Sequence, residues 1–153
     1  MKKLYKFNSL LFITFLSLCN FSVAQTNVFD DVIATSPNHT YLETALVQEG
    51  LDAALRQNPN CTVFAPDDSA FNKLATALNT TISGLLALPN LSDILTYHVL
   101  DSTILSTGIS NGAIVNPLSI TNTLKLTKTS TGKVFVNHSQ VSNADLTATN
   151  GVV

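Results

Sequence analysis

Apolar positions in this 153-residue chain follow two periods in succession. Between Thr40 and Leu95 they recur every three or four residues, the spacing of a one-faced helix; beyond Asp101 they tend to alternate with polar residues, as in a half-buried strand. Asn27 to Ile33 is a short amphipathic opening, broken at Pro37-Asn38. Thr40 with Glu43 three residues on reads as a capping box. Leu42, Ala45 and Leu46 give that helix one apolar face, and Gly50 ends it. Leu51, Ala54 and Leu55 repeat the pattern, and Asn58-Pro59-Asn60 turns the chain.

The run Cys61 to Phe71 organises what surrounds it. Thr62 to Phe64 are β-branched or aromatic and suit a strand, while Pro66 has no backbone donor, so the ladder should end there. Asp67 or Asp68 can cap the following helix, whose Phe71, Leu74 and Leu78 stand at i, i+3 and i+7. Phe64 is expected to be buried where the strand meets that helix. Asn79-Thr80-Thr81 breaks the period, and Ile82, Leu85 and Leu86 resume it as far as Pro89. Asn90 caps a last helix carrying Leu91, Ile94 and Leu95, and the spacing turns extended over Tyr97-His98-Val99-Leu100.

Gly108, Asn111-Gly112 and Asn116-Pro117 then punctuate short strands. Leu124 and Leu126 alternate with polar residues up to Ser130-Thr131-Gly132. Lys133 to Asn137 returns as a partner with Val134 and Val136 inward, and Val141 and Leu146 continue the pattern. Helices first and an antiparallel sheet after them predict an α+β fold.

The two ends change the picture. Lys2, Lys3 and Lys6, an apolar run from Leu10 to Leu18, and small residues at Ser22 and Ala24 predict a secretory signal peptide over 1–24, cleaved after Ala24. Lipoprotein processing at Cys19 is the alternative, although Leu18 is larger than the residue such processing prefers. Residues 25–153 then form one domain with no membrane span. Three of the eight basic residues leave with the leader and all ten acids stay. Five scattered cations cannot build the Lys/Arg patch that nucleic acid requires. Without Cys19, Cys61 is the only thiol, so an internal disulfide is excluded and packing must hold the fold. Its expected role is that of a small buried hydrophobe at the head of a core strand. Asn38, Asn60, Asn79, Asn90 and Asn137 match the glycosylation triplet, which matters only in a eukaryotic host; the short Lys-rich leader favours a bacterial one.

Three segments in order carry a resemblance: Thr62-Val63-Phe64-Ala65-Pro66 followed by an acid and Ala70-Phe71, then Tyr97-His98-Val99, then Ala148-Thr149-Asn150-Gly151-Val152-Val153. Together they resemble the conserved motifs of the fasciclin (FAS1) domain family across 27–153. The resemblance implies a wedge-shaped β-sandwich with the N-terminal helices packed along it. In the family the last segment runs on into a further strand, so a missing C-terminal strand is expected here, with unpaired backbone around Val134 to Val136. The resemblance also implies an adhesion role for Tyr97 and His98. Asp145-Leu146 resembles the Asp-Ile integrin-recognition motif of animal relatives, with Leu in place of Ile.

Other chemistry is sparse. His39, His98 and His138 form no close cluster with Cys or acids in sequence, so no metal and no cofactor are expected. Asp67-Asp68 are explained by capping, and no nucleophile elbow, phosphate loop or dinucleotide fingerprint occurs. His98 reads as a structural histidine, bonded to a nearby acid or carbonyl and tying its junction to the Pro66-Asp67 turn. The low charge and Thr/Ser/Asn-rich faces suit a non-enzymatic adhesion or matrix-interaction module whose partner is an extracellular protein or glycan. The alternative is an extracellular carrier of a small apolar ligand, as resemblance to pigment-binding relatives implies.

Overall fold

The computed structural model describes residues 26–119 and 122–153; the leader segment 1–24 lies outside them. The chain enters through a wide helical turn, Val28–Ile33, capped by the Asn27 side chain, which accepts from the Phe29 and Asp30 amides. Five helices follow: α1 (Thr40–Gln48), α2 (Leu51–Gln57), α3 (Asp68–Ala77), α4 (Ile82–Leu86) and α5 (Leu91–Tyr97). The described residues also contain eight short strands: β1 (Cys61–Val63), β2 (Val99–Leu100), β3 (Ala113–Val115), β4 (Leu124–Lys128), β5 (Val134–Val136), β6 (Ser139–Gln140), β7 (Thr147–Ala148) and β8 (Gly151–Val152). They form two sheets, ordered β2-β1-β8-β7 and β3-β4-β5-β6. All neighbours are antiparallel except β1 and β8, which run parallel with Cys61 beside Gly151.

β1 divides the interior. Alternate residues of a strand point to opposite faces, so Cys61 and Val63 enter the larger core, built from the helices with Phe29, Leu42, Leu46 and Leu85. Phe64, one residue past the strand, packs instead against a second cluster centred on Ile109, Leu126 and Val134. It is half-buried there rather than sealed against α3. The Thr62 hydroxyl donates to Ser102 O (2.6 Å) and accepts from the Ile104 amide (2.9 Å), tying the strand to the connection between sheets. At the entrance, Arg56 pairs with Asp30 (3.0 Å) and Asp52 (2.5 Å) and lies 4.5 Å from the Phe29 ring centroid, clamping the opening turn to α2.

Several local expectations are corrected by tertiary contacts. Glu43 does not reach back to cap α1. The cap comes from Asp68, whose carboxylate accepts from the Tyr41 amide (2.9 Å) and the Thr40 hydroxyl (2.7 Å) while its own amide donates to Asn38 O (2.8 Å). Asp67 caps α3 by accepting from the Ala70 amide at 2.6 Å. The two adjacent acids therefore serve two different helices. On α3 the buried face is Phe71 and Ala75, while Leu74 and Leu78 stand 44% and 55% exposed. Asn90 makes no side-chain cap, whereas Thr81 caps α4 through the Gly84 amide. The helical spacing persists through Tyr97, and extension begins at Val99. Val134 to Val136 is no sheet edge, since β5 is paired with β4 on one side and β6 on the other. Asn137 takes a left-handed φ of +53° in the two-residue turn that joins β5 to β6.

Candidate functional site

The four residues singled out for adhesion fall into two pairs with different partners. Tyr97 and His98 end α5, with rings edge to face at 6.2 Å. The Tyr97 hydroxyl donates to Thr123 O (2.9 Å) and accepts from the Asn137 side chain (3.4 Å). Asn137 in turn exchanges bonds with both backbone groups of Lys125. Tyr97 is thus a strap from the helical half onto the second sheet. The His98 Nδ1 lies 2.7 Å from Ile94 O, one turn back, which places the ring proton on Nδ1. His98 is bonded to a carbonyl, as expected, but to one on its own helix. Its link to the β1 end is made by backbone, where Phe64 N donates to His98 O at 2.8 Å.

Asp145 sits at a left-handed φ of +62°, and its carboxylate accepts from both the amide (2.7 Å) and the hydroxyl (2.6 Å) of Ser106. Those two bonds, with a smaller contribution from nearby Lys128, hold the carboxyl below its ordinary range. Lys128 Nζ donates to Ser106 O at 2.8 Å, so the short 3₁₀ turn Ser106–Gly108 is gripped from two sides. Leu146 pairs through its backbone with Val153 in both directions (3.1 and 2.9 Å), and its side chain is left 41% exposed. Of the four, Tyr97 and Asp145 have their polar side-chain atoms bonded internally, and His98 has its Nδ1 so engaged. Leu146 is the one of the four that offers an exposed apolar side chain.

The residue that sequence reasoning passed over is Asn150. It is buried, and its side chain joins three segments: Oδ1 accepts from the Val28 amide (2.9 Å), and Nδ2 donates to Leu55 O (2.7 Å) and Asn58 O (2.9 Å). Its carbonyl accepts from the Cys61 amide at 3.1 Å. Gly151 beside it permits the contact, because a Cβ there would strike the Cys61 carbonyl and lie 2.9 Å from Sγ. Cys61 itself is sealed, with its thiol pushed up to about 11 by burial and, less, by Asp101. A buried, protonated thiol of this kind is a poor nucleophile. Among the described residues no group of three or more His, Cys, Asp or Glu could hold a metal ion.

A fasciclin-domain sequence profile matches residues 37–153, taking in all three motif segments. The chain belongs to the fasciclin domain family. This fasciclin domain is 34% identical over 123 residues to the transforming growth factor-beta-induced protein ig-h3 of Sus scrofa, covering 80% of this chain and 17% of that one. It is 33% identical over 126 residues to protein sll1483 of Synechocystis, covering 80% of this chain and 67% of that protein. Among solved structures it superposes with a TM-score of 0.66 on a FAS1 domain pair from the insect cell adhesion molecule Fasciclin I, at 17% identity over 83% of this chain and 48% of that pair. That likeness shows the shared fold, α+β with helices beside two small sheets. The domain spans only about a sixth of the first of these relatives and about half of the solved pair. No helix among the described residues is long and apolar enough to cross a membrane.

Proposed function

We propose that this fasciclin domain is a secreted, non-enzymatic adhesion module that contacts an extracellular protein or glycan on a cell surface or matrix. The observation that carries the reading is family membership together with relatives of which one is named a cell adhesion molecule. The apolar crevice between α1, α2 and α5, lined by Leu46, Leu55 and Val99 among others, holds about 50 Å³. A carrier of small ligands would need a concave apolar pocket of roughly 300–1,000 Å³. This crevice is far smaller, and the roomier face of α1 around Val47 is open and lined mainly by polar residues, which supports adhesion over carriage.

The contact is assigned to the Asp145-Leu146 corner, where Ser106 fixes the backbone and Leu146 projects an apolar side chain. Tyr97 and His98 act as positioning residues, because the Tyr97 hydroxyl and the His98 Nδ1 are bonded within the domain. A cell- and matrix-adhesion assay with Leu146→Ser, run well below the melting transition, tests this. Adhesion should fall sharply with an unchanged melting temperature. Undiminished adhesion in that variant, or its loss in a folded His98→Ala variant, would overturn the assignment.

A further inference from the structure

Charge is segregated along the chain and therefore across the fold. Residues 27–101, which build the helices with β1 and β2, contain nine acids against Arg56 and Lys73. Residues 102–144, which build the sheet β3-β4-β5-β6 and its connections, contain three lysines and neither Asp nor Glu; the acid beside them is Asp145, which bonds Ser106 near Lys128 and leaves Lys125 without it. Each pole also exposes an apolar side chain next to its charge. On the sheet, Ile114 of the edge strand β3 is 69% exposed and stands directly opposite Lys125, so the two share the outer face. On the helical half, Val47 is 53% exposed, one turn beyond Glu43 on the same stripe of α1. Glu43, Thr44, Val47 and Gln48 together form an open, nearly flat face of α1.

We propose that this surface pair is a self-association contact, in which Ile114 of one molecule packs on the exposed Val47 of α1 in a second copy while Lys125 meets Glu43. A second copy is the occupant because one molecule carries both complementary halves, apolar against apolar and cation against anion. An external polyanion would meet Lys125 but be repelled by the acidic remainder of the domain. The contact joins different patches, so it is head to tail and extends into chains rather than closing as a symmetric dimer. It is small and partly electrostatic, hence weak and reduced by salt. Neither patch includes Leu146, so it stands apart from the adhesion surface proposed above.

Sedimentation of the purified chain up to about 1 mM, the Kd of a weak contact, tests it at low and high salt. Association should weaken as salt rises. Lys125→Glu and Glu43→Lys should each weaken it at least about tenfold through like-charge contact, and Ile114→Ser should abolish it. Mixing the Lys125→Glu and Glu43→Lys proteins restores opposite charges at every junction and should restore assembly. Circular dichroism of each variant checks the fold. A chain that stays monomeric throughout, charge variants that associate like the parent, or a mixture that fails to recover would each overturn the proposal.

Discussion

Replacing Asn150 by Ala removes three hydrogen bonds at once while leaving their partners in place. The Val28 amide belongs to a residue with no solvent exposure, and Leu55, whose carbonyl is the second partner, is itself buried. A typical internal bond contributes about 1 kcal/mol net, and each buried group left unsatisfied costs about 1–3 kcal/mol. Asn58 lies nearer the surface, so its carbonyl can turn to water. The expected loss is therefore about 3–5 kcal/mol, a large share of the roughly 5–15 kcal/mol that holds a domain of this size folded. Urea melts followed by far-UV circular dichroism should show the midpoint moving with an unchanged slope. Asn150→Asp separates bonding from volume. Its carboxylate still accepts from Val28 but faces the two carbonyls without a proton to give. That environment favours the neutral acid and raises its pKa, so the variant should regain stability as pH falls. A loss below about 1 kcal/mol in Asn150→Ala would refute the reasoning, by showing that water enters and satisfies all three groups.

Two further outcomes follow from the same geometry. Asp68→Ala should cost about 1–2 kcal/mol, the value of a helix cap, whereas Glu43→Ala should change stability by no more than about 0.5 kcal/mol; equal losses in urea melts would reinstate the capping box. For Cys61 the folded thiol is raised from 9.0 to about 11, so the unfolded chain deprotonates first and stability should decline between pH 9 and 11, being fully present below that window. Cys61→Ala should flatten that part of the stability profile, and a slope identical to the parent's would refute the assignment.

What could be read along the chain was whatever neighbouring residues decide. The β1 strand, the stop before Pro66 and an acid cap on α3 all lie within ten residues of one another; the cap forms where expected, and the strand forms one residue earlier, over Cys61–Val63 rather than Thr62 to Phe64. The choice between Leu74 with Leu78 and Phe71 with Ala75 was not decidable there. Periodicity supplies stripes on a helix, but packing against α1 and α4 selects which stripe is covered. The Asp68 cap was hidden for a related reason, because its target lies 27 residues earlier. The candidate site shows the same division. Tyr97, His98 and Asp145 stand out as motif residues, yet their roles follow from Thr123, Ile94 and Ser106, and only Ile94 is near in sequence. Asn150 lay inside a recognised motif, and nothing local shows that its side chain closes contacts 92 to 122 residues away.

The parallel pairing of β1 with β8 also sets a timetable. Cys61 lies beside Gly151, and the Asn150 side chain latches onto Val28, 122 positions earlier. During synthesis the helices from Thr40 to Tyr97 can form from local contacts, but β1 waits for its parallel partner until nearly the whole domain has emerged. Long-range pairing of this kind makes loop closure precede its reward, which slows folding. A nascent chain should therefore pass through a state with its helices formed and the Cys61 thiol still open to solvent. Pulse labelling of that thiol would date the moment at which the last segment is captured.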